Sequence, residues 1–135
     1  MRRLALLLLL CTLALPVAAC SASTANISEA TLAHGFADGK AIDATSSFAS
    51  TDNPFHYVVT LSNAPDDTKV KAVWTIVDAG AGQFKDQKLD ETLLQSAGGT
   101  LDFTLKGNQE WPKGKYKVEL YLNDKLDRSA DFEVQ

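Results

Sequence analysis

The sequence predicts an all-β protein, an antiparallel β-sandwich of about seven strands. Two observations carry that expectation. Apolar residues recur at every second position in separate stretches, the period of half-buried strands. Turn-forming residues then interrupt the chain between those stretches.

In chain order, the segments around Ile27 to Phe36 and Lys40 to Phe48 are the weaker strand candidates. In "FHYVVTLS", Phe55, Tyr57, Val59 and Leu61 share one face. "NAPDDT" then offers Pro65 followed by Asp66 and Asp67, residues that preset or tolerate turn dihedrals. In "KVKAVWTIVD", Val70, Ala72, Trp74 and Ile76 face one way and Lys71 and Thr75 the other. Gly80 to Gly82 breaks the chain.

The segment 84–95 is ambiguous, because Leu89, Leu93 and Leu94 have helical spacing within "FKDQKLDETLLQ". A polar edge strand is the better reading than a short helix, since edges are commonly guarded by charge. After Gly98-Gly99, "TLDFTLK" sends Leu101, Phe103 and Leu105 inward. "KYKVELYLND" does the same with Tyr116, Val118, Leu120 and Leu122, leaving Tyr121 outward beside lysines. Asn123-Asp124 suits a two-residue hairpin, and the last run turns Ala130, Phe132 and Val134 inward.

The N-terminus carries an address. Arg2 and Arg3 precede an apolar run, Leu4 to Leu15, that stops at Pro16. About 20 apolar residues are needed to cross a bilayer, so the pattern is that of a cleaved signal peptide. Val17, Ala18 and Ala19 lead into Cys20. This resembles the lipobox of bacterial lipoproteins. The resemblance implies removal of residues 1–19, a diacylglycerol on the Cys20 thiol and often an acyl chain on the new amino group. Ordinary cleavage leaving a free cysteine is the alternative. Ser21 stands where an aspartate would favour inner-membrane retention, so the resemblance implies an outer membrane facing the periplasm in a Gram-negative cell.

Residues 20–26 then read as the lipidated N-terminus and a short tether, and 27–135 as the domain. Cleavage leaves 116 residues (135 − 19), with 11 Lys+Arg against 17 Asp+Glu, a balance of −6. That length buries a core. The charge argues against nucleic acid, which needs a clustered basic face. With Cys11 and Cys20 both spoken for, the domain has no disulfide and no thiolate metal site.

Two details sharpen the sandwich. Trp74 sits mid-strand, where immunoglobulin domains place a core tryptophan, and "GKYKV", Gly114 to Val118, resembles the tyrosine corner of those domains, with Val118 in place of cysteine. The resemblance is therefore to an immunoglobulin-like or fibronectin-like sandwich without a disulfide. It implies that the Tyr116 hydroxyl bonds backbone between Lys106 and Lys113. "WPKGKYKVELYLNDK" and "FASTDNPFHYVVTLSNAPDDTKVKAVW" are also similar to a module that recurs in bacterial lipoproteins, which implies a fold and no activity.

No catalytic residues, cofactor site or metal site emerge. His34 and His56 are the only histidines, with Asp38 and Asp52 nearest in sequence as companions. His56 lies outward on its strand and reads as a solvated surface histidine. No G-x-S-x-G elbow or glycine-rich phosphate loop is present. Trp111, held extended before Pro112, is either a binding anchor or a plug over the sandwich end. Tyr121 is a second contact candidate, with packing in the sheet as its alternative.

The expectation is a non-enzymatic envelope module. The membrane is its partner through the lipid, and another envelope protein through a sheet face or edge. A small-ligand or glycan-binding domain using the end loops, with Trp111 as platform, is the alternative. An envelope enzyme has least support.

Overall fold

A strand that turns alternate apolar residues to one face needs a second sheet to cover that face, and the chain supplies two facing sheets around one core. The structure, a computed structural model, describes residues 23–135. Its strands are β1 (Asn26–Ala37), β2 (Lys40–Ala44), β3 (Ser47–Phe48), β4 (Phe55–Ser62), β5 (Thr68–Ala79), β6 (Phe84–Ser96), β7 (Gly99–Leu105), β8 (Gly114–Leu122) and β9 (Lys125–Val134). They form one sheet in the order β2-β1-β4-β7 and a second in the order β3-β9-β8-β5-β6. The hairpins β1–β2, β5–β6 and β8–β9 stay within a sheet, and every other connection crosses between sheets. Among the described residues there is no helix, and so none long and apolar enough to cross a membrane.

The all-β sandwich is as expected, with nine strands where the sequence predicts about seven. The segment 40–48 accounts for part of the difference. Instead of one strand it makes two, because the chain leaves the first sheet after Ala44 and joins the second at Ser47. There β3 pairs in parallel with the C-terminal end of β9. The ambiguous segment 84–95 is an edge strand, β6, paired with β5 alone among the described residues.

The turns follow from dihedrals. Asn123 and Asp124 both have positive φ, 48° and 67°, and close β8–β9 in two residues. Asp38 and Gly39, at 51° and 74°, close β1–β2 the same way. In "NAPDDT" the Thr68 amide and hydroxyl both donate to the Pro65 carbonyl, at 3.1 and 2.8 Å.

The interior is aromatic. Trp74 is fully buried and meets Phe132 edge-on at 5.8 Å and Tyr57 at 6.4 Å. Phe48, Phe55 and Phe132 form a mutually contacting group, and Tyr116 stacks on Phe132 at 5.3 Å. Each such pair contributes about 0.5–1.5 kcal/mol beyond the area it buries. Among the described residues the Trp74 indole N–H has no hydrogen-bond partner. The tyrosine corner is present: the Tyr116 hydroxyl donates to the Pro112 carbonyl at 2.6 Å.

Candidate functional site

A concavity lies where the two sheets part. β6 and β7 are the terminal strands of their sheets on one side of the sandwich, joined through Ala97-Gly98. Away from that corner a groove of about 540 Å³ opens. Phe84, Gln87, Leu89 and Asp90 of β6 line one wall, and Thr104 to Pro112 the other. β6 shapes its wall through a bulge. Trp74 pairs with Asp90 and Thr75 with Lys88, so Leu89 is the extra residue. A bulge re-aims side chains, and here Leu89 turns onto the core while Asp90 lines the groove beside it.

Trp111 forms part of the second wall, half-buried. Its backbone N–H donates to the Ser50 carbonyl at 2.9 Å, and its indole N–H to the Asp52 carbonyl at 2.9 Å. Phe55 lies 5.1 Å from the ring. A Cβ on Gly107 would fall 2.7 Å from the indole Cζ2, so a side chain there would displace the ring. The ring is packed over the end of the sandwich and fixed by two hydrogen bonds.

Tyr121 stands on the outer face of the second sheet, half-buried, with the Lys71 ammonium 4.6 Å from its ring centroid. Lys71 also pairs with Glu91 at 3.3 Å, and Lys88 pairs with Glu91 at 2.8 Å. The Lys88 hydrogen bond, reinforced by Lys71, holds the Glu91 carboxyl below its ordinary range, and Lys88 is raised by the same bond. Cys20, the expected lipid attachment, lies outside the described residues, as do the 1–19 leader and the start of the tether.

The histidines depart from the sequence reading. His56 is not a freely solvated residue: it is 15 % exposed and its Nδ1 lies 2.9 Å from Asp102, itself 19 % exposed. The antiparallel β4–β7 register brings the two together on the outer sheet face. His34 is bridged by two carboxylates, Asp43 at 2.8 Å from Nδ1 and Asp52 at 3.0 Å from Nε2. Asp38 sits in the β1–β2 turn instead. With both His34 nitrogens engaged in opposite directions, neither is free to bind an ion. No group of three or more His, Cys, Asp or Glu suited to a metal occurs among the described residues. No hydroxyl is hydrogen-bonded to either imidazole among the described residues, which leaves both pairs without the nucleophile that acyl transfer requires.

The sequence matches no protein-family model and no curated protein. Solved structures do resemble it. An immunoglobulin-like protein from Pseudomonas aeruginosa matches at 15% identity and a TM-score of 0.57, over 82% of this chain and 96% of that one. An alkylpurine DNA glycosylase from Pseudomonas fluorescens, bound to DNA containing an abasic site analog, matches at 16% identity and 0.47, over 82% of this chain but 30% of its own. A mutant β-glucosidase from Listeria innocua in complex with laminaribiose matches at 17% and 0.44, over 16% of its length. The latter two likenesses are too distant to argue from. The first shows the fold: this is an immunoglobulin-like β-sandwich.

Proposed function

We propose that the chain is a lipid-anchored envelope protein. Its sandwich is a non-enzymatic module that binds another envelope protein along the outer edge of β6. The observation carrying this reading is the edge itself. β6 runs 13 residues, pairs with β5 alone among the described residues, and borders a groove floored by Leu89 and Leu105. Such an edge offers a row of backbone donors and acceptors to an extended segment. The charges on its outer positions guard against indiscriminate pairing, and the groove beside it sets Phe84, Leu89 and Leu105 among polar side chains such as Gln87 and Asp90. The anchor rests on the Val17-Ala18-Ala19-Cys20 pattern, and the outer membrane on Ser21 following it.

A saccharide reading, with Trp111 as a stacking platform, draws less support, because that ring is already packed against Phe55 and Gly107. An enzymatic reading is the weakest, since among the described residues neither histidine–carboxylate pair has a partner nucleophile.

The test is a photo-crosslinking residue placed at Gln87 in the full chain, irradiated in intact cells. A membrane protein should be captured from Gln87 and not from Asp38, and capture should vanish in Cys20→Ser as the chain leaves the membrane fraction. Identical adducts from both positions overturn the β6 site. A Cys20→Ser chain that stays in the membrane overturns the anchor.

A further inference from the structure

On the outer face of the second sheet the ladders place four residues in one row. Leu93 of β6 is opposite Lys71 of β5, Lys71 opposite Tyr121 of β8, and Tyr121 opposite Leu126 of β9. At about 4.8 Å between strands the row spans about 14 Å. Leu93 is 55 % exposed and Leu126 52 %; among the described residues only Ile42 is a comparably exposed large hydrophobic. Between the leucines, Lys71 lies over the Tyr121 ring. Two exposed leucines flanking an aromatic ring and a long cationic stem make a strip that is apolar below and polar at its tips.

Its position gives the strip an occupant. Tyr121 stands two residues before the β8–β9 turn, about 7 Å along the strand. The described chain begins against that same turn: the Asn123 side-chain amide donates to the Ser23 hydroxyl at 3.4 Å, and the Thr24 hydroxyl to the Asn63 carbonyl at 2.8 Å. Ser23 follows Cys20 by three residues, which at full extension reach about 11 Å. An acylated Cys20 therefore draws this end of the sandwich, and no other, to the lipid surface. The opposite end, at Lys113, is about 30 Å away along β8.

We propose that the row Leu93, Lys71, Tyr121 and Leu126 rests on the lipid surface that holds Cys20. It seats the leucines among the headgroups and so fixes the tilt of the domain. The proposal rests on the anchoring reading above. Tyrosine and lysine are the side chains that settle at a membrane interface. Charge does not drive the contact: Lys69, Lys71 and Lys125 at this end are opposed by Asp66, Asp67, Asp124 and Asp127. The contact is apolar, so it should form on zwitterionic lipid and be indifferent to salt. With this face tilted onto the membrane, the β6 groove and the Trp111 end remain open to the periplasmic side.

The test uses the full chain purified from membranes and reconstituted in phosphatidylcholine vesicles, its Cys20 acylation checked by mass. Spin labels are placed at Leu93→Cys, Leu126→Cys and, as a control, Lys113→Cys. The ratio of oxygen to nickel-chelate accessibility should rise several-fold at 93 and 126 on reconstitution and stay unchanged at 113. An acylated chain with no rise at 93 and 126 overturns the lipid-resting row and leaves the anchor standing. A chain carrying no acyl mass at Cys20 overturns both. Labels shielded from both reagents in native membranes, but exposed in pure vesicles, assign the row to a protein and overturn the lipid contact.

Discussion

The Tyr116 hydroxyl donates to the carbonyl of Pro112, four residues upstream, at 2.6 Å. The ring is buried and stacks on Phe132, so one side chain ties the loop carrying Trp111 to the middle of the core. Tyr116→Phe should lower stability by about 1 kcal/mol, and by up to about 3 if the stranded carbonyl finds no water. Urea denaturation of the two chains measures the difference. An unchanged midpoint would remove the corner from the account of this fold.

The same tyrosine makes stability depend on alkaline pH. Burial pushes Tyr116 up to about 12 and raises Tyr57 as well. The unfolded chain releases the Tyr116 proton near 10. The folded-state value is the higher one, so the associated stability is fully present below about 10 and is lost as pH rises toward about 12. Each such group lowers stability by at most about 1.4 kcal/mol per pH unit in that window. Denaturant midpoints from pH 9 to 12 should fall more steeply for the natural chain than for Tyr116→Phe. Parallel slopes would mean the ring ionises without unfolding.

Trp74 joins three core elements through Tyr57 and Phe132. Trp74→Ala should cost about 3–5 kcal/mol, the range for a large buried aromatic. That is a large part of the roughly 5–15 kcal/mol that holds a domain folded. Thermal and urea unfolding followed by circular dichroism check it, and a loss below 1 kcal/mol would contradict the burial seen here.

How much was legible varies with the distance over which the cause acts. β4, β5, β7, β8 and β9 were readable because each turns alternate residues to the core, a local signal. Asn123-Asp124 was readable as a hairpin for the same reason. Asp38-Gly39, with positive φ at both residues, carries an equally local turn signal. The Leu89 bulge was not legible, because it exists only relative to the register of β5. The His56–Asp102 contact joins residues 46 apart in sequence, and alternation alone says only that both point outward. The row from Leu93 to Leu126 requires three ladders to be in register at once, so the sequence could single out Tyr121 but not its neighbours.

Gly114 opens β8 where it pairs with Ala79 of β5. Its φ of 149° suits glycine, and a Cβ there would collide with the Asp78 carbonyl and fall 2.5 Å from the Ala79 Cα. Two effects therefore oppose any side chain. Backbone strain is worth about 1–3 kcal/mol, and overpacking typically another 1–3. Gly98 separates the two, because its φ of 127° is equally unsuited to a side chain but nothing lies within 4 Å of its Cβ position. Gly98→Ala should show the strain alone. Gly114→Ala should show strain and collision together, a loss of about 2–6 kcal/mol in urea denaturation that exceeds the Gly98→Ala loss. It should also displace Tyr116, two residues on, which near-ultraviolet circular dichroism reports. Equal losses for the two variants would mean that the β5–β8 ladder moves aside for a methyl group, and that Gly114 serves its dihedral angle alone.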